Sequence, residues 1–199
     1  MKNVLKGKTL SDLRYPIEDG KSVIEIKVLT LDDLFDEHDP SPYRVRDLDN
    51  SIMEYITSCV LEITPDFVGK LRIHSEDFFD LDKQDVFVKS IKDFFYLKAH
   101  MEEVKLKQVF KRGLVSLFIG LTFLLVAIIA SFYVQSKSPE FWTSFLKEGL
   151  HLLGWVSMWK PINLFLYDWW EPFQDLKIYK KLSHVKIELV FSSYEDEIA

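Results

Sequence analysis

Three titratable side chains, His151, Lys160 and Asp168, lie inside an otherwise apolar stretch that runs from Gly149 to Trp170 as GLHLLGWVSMWKPINLFLYDWW. A lysine near the middle of a membrane-crossing segment costs about 2.5–3.5 kcal/mol on an insertion scale, so its presence calls for a chemical reason. Three reasons compete. Lys160 can run its aliphatic stem toward the headgroups while its ammonium stays wet. It can pair with a carboxylate from another subunit or partner. Or it can join His151 and Asp168 in a proton or ion path, which would need an oligomer, because two spans cannot enclose a pore. Its neighbours bear on all three. Trp159 offers a ring face to the cation, and Pro161 has no N–H for the carbonyl of Ser157, four residues earlier.

Other reactive residue types are present without the spacing that chemistry demands. Asp36, Glu37, His38 and Asp39 are hard-metal ligand types, but they lack the alternating spacing and turn glycine of a calcium loop, so a solvated acidic turn is expected. His74 and His100 have no cysteine or second histidine at ligand spacing. No glycine-rich phosphate loop or nucleophile elbow occurs. No catalytic, metal or cofactor-binding residue is therefore assigned, and an enzyme acting on lipid or a phosphorylated substrate at a membrane surface has only scattered acidic residues in its favour. The loop DPSPYRVRDLD (39–49) combines rigidity with both charge signs. Asp39, Pro40, Pro42, Arg44, Arg46 and Asp47 form a candidate partner-facing surface there, although a loop that caps itself would have the same composition.

The elements that must position these residues begin with an uncharged run from Leu114 to Val134, roughly 20 residues, whose helix would match a ~30 Å hydrocarbon core. It predicts a membrane α-helical hairpin of two transmembrane helices, 113–135 and 149–170, joined by a short external loop at 136–148. Before it, a flexible N-terminus (1–20) precedes a small cytoplasmic α+β domain (21–112) whose last helix leads to the membrane, running from about 83 to 135 with a kink at Gly113. After it, a cytoplasmic tail (171–199) holds a basic helix and a strand. Residues 1–112 carry 18 Lys/Arg against 22 Asp/Glu, and the chain as a whole has a net charge of −6. No basic stripe stands out, so nucleic acid is not an expected partner. The single cysteine, Cys59, rules out an intramolecular disulfide and suits a reducing compartment. The N-terminus lacks the apolar core of a cleavable signal peptide.

Within the cytoplasmic part, Ser22 to Thr30 and Lys70 to Ser75 alternate as strands. Asp49 offers an N-cap to a helix over Asn50 to Ile63, whose Ile52, Ile56, Cys59, Val60 and Ile63 share one face. Pro65 and Gly69 are expected to end that helix. Phe78, Phe79, Phe87, Phe94 and Phe95 are candidate core aromatics. Pro172 to Leu182 predicts a short basic helix, and Val185 to Phe191 a third strand that returns to complete the N-terminal sheet. Lys105, Lys107, Lys111 and Arg112 precede the first span, and Lys177, Lys180, Lys181 and Lys186 follow the second, which orients both termini to the cytoplasm.

Two stretches, DPSPYRVRDLD (39–49) and EGLHLLGWVSMWKPINLFLYDWWEP (148–172), resemble an uncharacterised family of bacterial two-span inner-membrane proteins. The more specific signatures are GWVxxW[KR]P at 154–161 and YDWW at 167–170; Glu171, between the tryptophans and Pro172, departs from the pattern. The resemblance implies an integral inner-membrane protein with a cytoplasmic domain and a retained cation at position 160. It implies no activity. The expected role is a membrane-anchored adaptor or accessory subunit whose partners are membrane lipids and either copies of itself or another membrane protein. The alternative is an oligomeric ion- or proton-conducting or transporter component that uses Lys160.

Overall fold

A computed structural model of the chain describes residues 14–42, 45–63, 66, 68–76, 81–137 and 141–191. The chain divides into two compact units, one made of residues 1–100 with 175–199, the other of residues 101–174.

The first unit opens with a two-residue strand, β1 (Ile17–Glu18), inside the segment expected to be flexible. It turns through Asp19 and Gly20, both at positive φ (52° and 74°), into β2 (Lys21–Lys27). Two central residues in that conformation make the two-residue hairpin turn that matches strand twist, for which Asp-Gly is a preferred pair. A 3-10 turn follows at Leu31–Leu34, and α1 spans Asn50–Ile63. As expected, Asp49 caps α1: its carboxylate accepts from the backbone N–H of Ser51 at 2.9 Å. The next strand, β3 (Val68–Ser75), begins before the expected residue 70, and Gly69 lies inside it rather than ending the helix. Its role is close approach: a Cβ there would come within 2.8 Å of the Lys21 Cβ on β2. Pro65, Phe78 and Phe79 fall outside the described residues.

The long helix α2 covers Leu81–Lys137 without a break at Gly113. Helices α3 (Phe141–Val156), α4 (Trp159–Leu166) and α5 (Trp170–Ser183) follow, and β4 (Lys186–Phe191) ends the described chain. The sheet has the order β1-β2-β3-β4, with β1 antiparallel to β2, and β2, β3 and β4 mutually parallel. The tail strand therefore completes the sheet of its own chain. One sheet face supplies Ile24, Ile26, Leu71, Ile73 and Ile187 to a core shared with Ile56 and Val60 of α1, Phe87, Ile91, Phe94 and Phe95 of α2, and Ile178 and Leu182 of α5. Alternation in the strands and helical spacing in α1 and α2 place these residues on facing surfaces.

In the second unit the expected continuous helix over 149–170 is divided. Helix α3 ends at Val156 and α4 starts at Trp159. The break falls where Pro161 cannot donate to the Ser157 carbonyl, and it leaves the proline within the first turn of α4, where no donor is needed. The N–H of Met158 turns instead to the Trp155 carbonyl at 3.0 Å. The external loop expected at 136–148 is also shorter than anticipated, because residues 141–148 already belong to α3.

Candidate functional site

The apolar unit packs by small residues. A Cβ on Gly154 would lie 2.9 Å from Leu124 and 3.3 Å from Ala127. One on Gly120 would lie 3.0 Å from the Ser157 carbonyl, and one on Gly113 3.0 Å from the Phe165 ring, which also faces Phe110 at 6.5 Å. Contacts that descend along α2 as they ascend along α3 and α4 define an antiparallel crossing. Hydroxyls lie in the same seam. The Ser157 hydroxyl donates to the carbonyls of Gly154 (2.6 Å) and Gly120 (3.1 Å), and Ser131, fully buried, donates to Ile128 at 2.8 Å. The large apolar side chains point the other way: Phe118 is 74% exposed, and Ile119, Phe123, Leu125 and Ile129 are exposed as well. One helix, within Lys83–Val134, is long and apolar enough to cross a membrane.

His151, Trp159, Lys160, Pro161 and Asp168 fall on three levels of this unit. His151 Nδ1 lies 3.0 Å from the Lys147 carbonyl, one turn back on α3. Pro161 is buried against Gly120, whereas Trp159 and Lys160 are exposed. Asp168 sits in the turn after α4, where its N–H donates to the Asn163 carbonyl at 3.2 Å. No hydrogen bond or ion pair joins His151, Lys160 and Asp168 among the described residues. Within one chain, then, the three do not form a relay. Below α4, Trp169 packs edge-on against Trp170 and Phe173 at 5.5 and 5.7 Å, an aromatic cluster of the kind favoured at membrane–water boundaries.

The described residues of the loop at 39–49 are tied to one another and to Phe35 and Asp36 just before it. Asp39 accepts from the backbone N–H groups of Asp47 (2.9 Å) and Ser41 (3.0 Å), bonds that hold its carboxyl below the usual carboxylate range, with the Asp47 N–H the larger cause. The Arg46 Nε–H donates to the Asp36 carbonyl at 3.1 Å, and Phe35 bridges Leu48. Pro40 and Pro42 are exposed, and Arg44 lies outside the described residues. Val45, Arg46 and Asp47 face Asp93, Phe94 and Leu97 of α2 across a cavity of about 230 Å³. In the acidic run 36–39 the chain turns at residues 37–38, and the His38 backbone N–H donates to the Asp36 carboxylate at 2.8 Å.

A further cluster, not anticipated from the sequence, occupies the outer face of the sheet. Glu25, Arg72 and Glu188 are cross-strand neighbours on β2, β3 and β4. Arg72 donates to Glu25 (2.8 Å), Glu18 (2.6 Å) and Glu188 (2.9 and 3.1 Å), while Lys70 binds Glu18 at 2.5 Å. The hydrogen bonds from Lys70 and then Arg72 pull the Glu18 carboxyl down to about 2. Lys70 and Arg72 engage all three carboxylates, His74 Nε2 stands 3.8 Å from Glu25 on the same face, and these cross-strand pairs hold the strands in register. Its only sequence signal is a charge at alternate positions in SVIEIK, KLRIH and VKIEL, which become neighbours once the register is known. Compared with protein-family models, with curated proteins and with solved structures, the chain matches none.

Proposed function

We propose that this chain is an inner-membrane protein of the bacterial two-span kind its signatures resemble, acting as an adaptor or accessory subunit that holds a small α+β domain at the cytoplasmic face. The observation that carries the reading is the inverted polarity of the second unit. Glycines and serines let the helices approach closely in the seam, and Phe118, Ile119, Phe123, Leu125 and Ile129 face outward. In water that arrangement leaves far more apolar surface exposed than a soluble protein tolerates. In lipid it is favoured, because helices associate through small residues and satisfied hydroxyls. The divided helix α3–α4 would be the second span, a break being tolerated where neighbouring groups satisfy the freed backbone.

The level of Lys160 suits this reading. Its neighbour Pro161 packs on Gly120, which lies roughly 9 Å along the helix from the basic end of the apolar run and ~20 Å from the other end. The ammonium thus reaches most easily toward the side marked by Lys111 and Arg112, as snorkelling requires. A domain without a catalytic constellation among its described residues fits a binding role better than an enzymatic one.

Alkaline carbonate extraction of bacterial membranes, combined with labelling of single cysteines by an impermeant maleimide, tests the proposal. The protein should stay in the membrane, with Ser136→Cys labelled only from outside and Lys177→Cys only from the cytoplasmic side. Release by carbonate, or labelling of both sites from one side, would overturn it.

A further inference from the structure

Four cations precede the apolar run on α2, and two of them are already paired: Lys105 with Glu102 at 2.5 Å and Lys107 with Glu103 at 2.9 Å. Lys111 and Arg112 are exposed, as is Lys160 on α4, and none of these three has a hydrogen bond or ion pair among the described residues. Their directions differ. Arg112 directly precedes Gly113 and Lys160 directly precedes Pro161, two residues that pack into the seam between α2 and α4. Each of these cations therefore stands about 100° back around its helix from the seam. In an antiparallel pair, rotations of the same sense open onto the same lateral face, so Arg112 and Lys160 share one. Phe110 and Phe165 are turned the other way, by roughly 60° and 40°. They meet on the opposite face, their ring centres 6.5 Å apart. Lys111 points roughly 160° from the seam, toward neither.

We infer that Arg112 and Lys160 form a site for the phosphate of one anionic phospholipid of the cytoplasmic leaflet. The inference rests on the membrane reading, which sets Arg112 at the headgroup level and Lys160 deeper. Along the axis the two stand roughly 10 Å apart, a gap that two long side chains close with a phosphate between them. The chemistry fits that ligand. The Arg112 guanidinium can hold two phosphate oxygens at once, and the Lys160 ammonium adds a point charge from the acyl-chain side. Basic pockets between membrane helices on the cytoplasmic side bind anionic headgroups for this reason. A zwitterionic headgroup fits worse, because its own ammonium would be brought against two like charges. The arrangement also gives Lys160 the counter-charge that its own chain does not supply, on the side toward which it reaches.

Lipid titration of the full-length protein in mild detergent tests this, with bound lipid counted by native mass spectrometry. The first phosphatidylglycerol should bind at a several-fold lower concentration than phosphatidylcholine. Lys160→Gln and Arg112→Gln should each abolish that preference, and the double variant should lose no more than either alone. Lys160→Arg should keep it, as should Lys111→Gln, which removes the same charge from the same level of α2 but from another face. An equal loss in Lys111→Gln would mean diffuse attraction and overturn the site. Displacement of the lipid by glycerol 3-phosphate at the same concentration would make the ligand a free phosphate and overturn it too. Absence of any preference in a wild type that resists carbonate overturns the site while leaving the anchor intact. Release of the wild type by carbonate overturns the anchor, and the site with it.

Discussion

At the residue scale, the two unusual charges of this chain answer to different solvents. Lys160 is exposed on α4 and has no polar partner among the described residues, so in the membrane arrangement proposed above its ammonium has to reach the headgroups. Lys160→Leu is therefore expected to leave the carbonate-resistant fraction unchanged and to raise, not lower, resistance to detergent extraction; a loss of insertion or assembly would show that the ammonium pairs with a partner. Arg72 is the opposite case, held by three carboxylates over an 18% exposed side chain. Among its partners, Glu18 sets a pH dependence. Its carboxyl is lowered in the folded chain, chiefly by the hydrogen bond from Lys70, so its stabilisation is fully present above the ordinary value of 4.5 and is lost as pH falls through about 2. Thermal melts of the wild type and of Glu18→Gln should therefore differ at pH 7 and converge as pH is lowered between those limits. Melts that stay equally far apart at every pH would remove Glu18 as the cause.

At the element scale, the glycines of the apolar unit set how closely its helices approach. Gly120 sits against the backbone of the break between α3 and α4, where neither the Ser157 carbonyl nor Pro161 can swing aside. Gly120→Leu should overpack this crossing by about 1–3 kcal/mol, read as a lower midpoint of unfolding in mild detergent. Gly149, which has nothing within 4 Å of a Cβ, is the matched control, and Gly149→Ala should leave the midpoint near the wild-type value or raise it slightly. Equal effects at the two positions would mean that helix propensity, not packing, is being measured. The break itself was legible in the sequence, because a proline always removes the donor for the carbonyl four residues back. The early start of α3 had a signal too, the Ser-Pro-Glu run at 138–140 just before Phe141, but the mixed apolar and charged composition of Phe141–Glu148 obscured it.

At the scale of the whole molecule, the parallel pairing of β4 with β3 makes the first unit depend on residues that follow the apolar unit in sequence. Truncation after Ser183 would strip Ile187 and Leu189 from the edge of β3 and expose Leu71 and Ile73. The expected outcome is rapid proteolysis of the first unit, while the apolar residues 101–174 still require detergent for extraction. Protease resistance equal to that of the full chain would mean that β1–β3 and the helices suffice.

What the sequence determined by itself was local. Asp49 and the apolar spacing defined α1 over its full length, alternation marked β2, β3 and β4 within a few residues, and the uncharged run marked the long helix, because caps, period and hydropathy act between near neighbours. The Asp19-Gly20 turn was equally local, and its signal lay in the dipeptide. Tertiary structure alone decided the rest: that Glu18, Glu25 and Glu188 converge on Arg72, that Asp39 holds the Asp47 N–H and Arg46 the Asp36 carbonyl, and that Gly113 receives a phenyl ring where a kink was expected. Each of those depends on strand register or helix crossing. Such relations join residues tens of positions apart, and the period of a single element says nothing about which faces will meet.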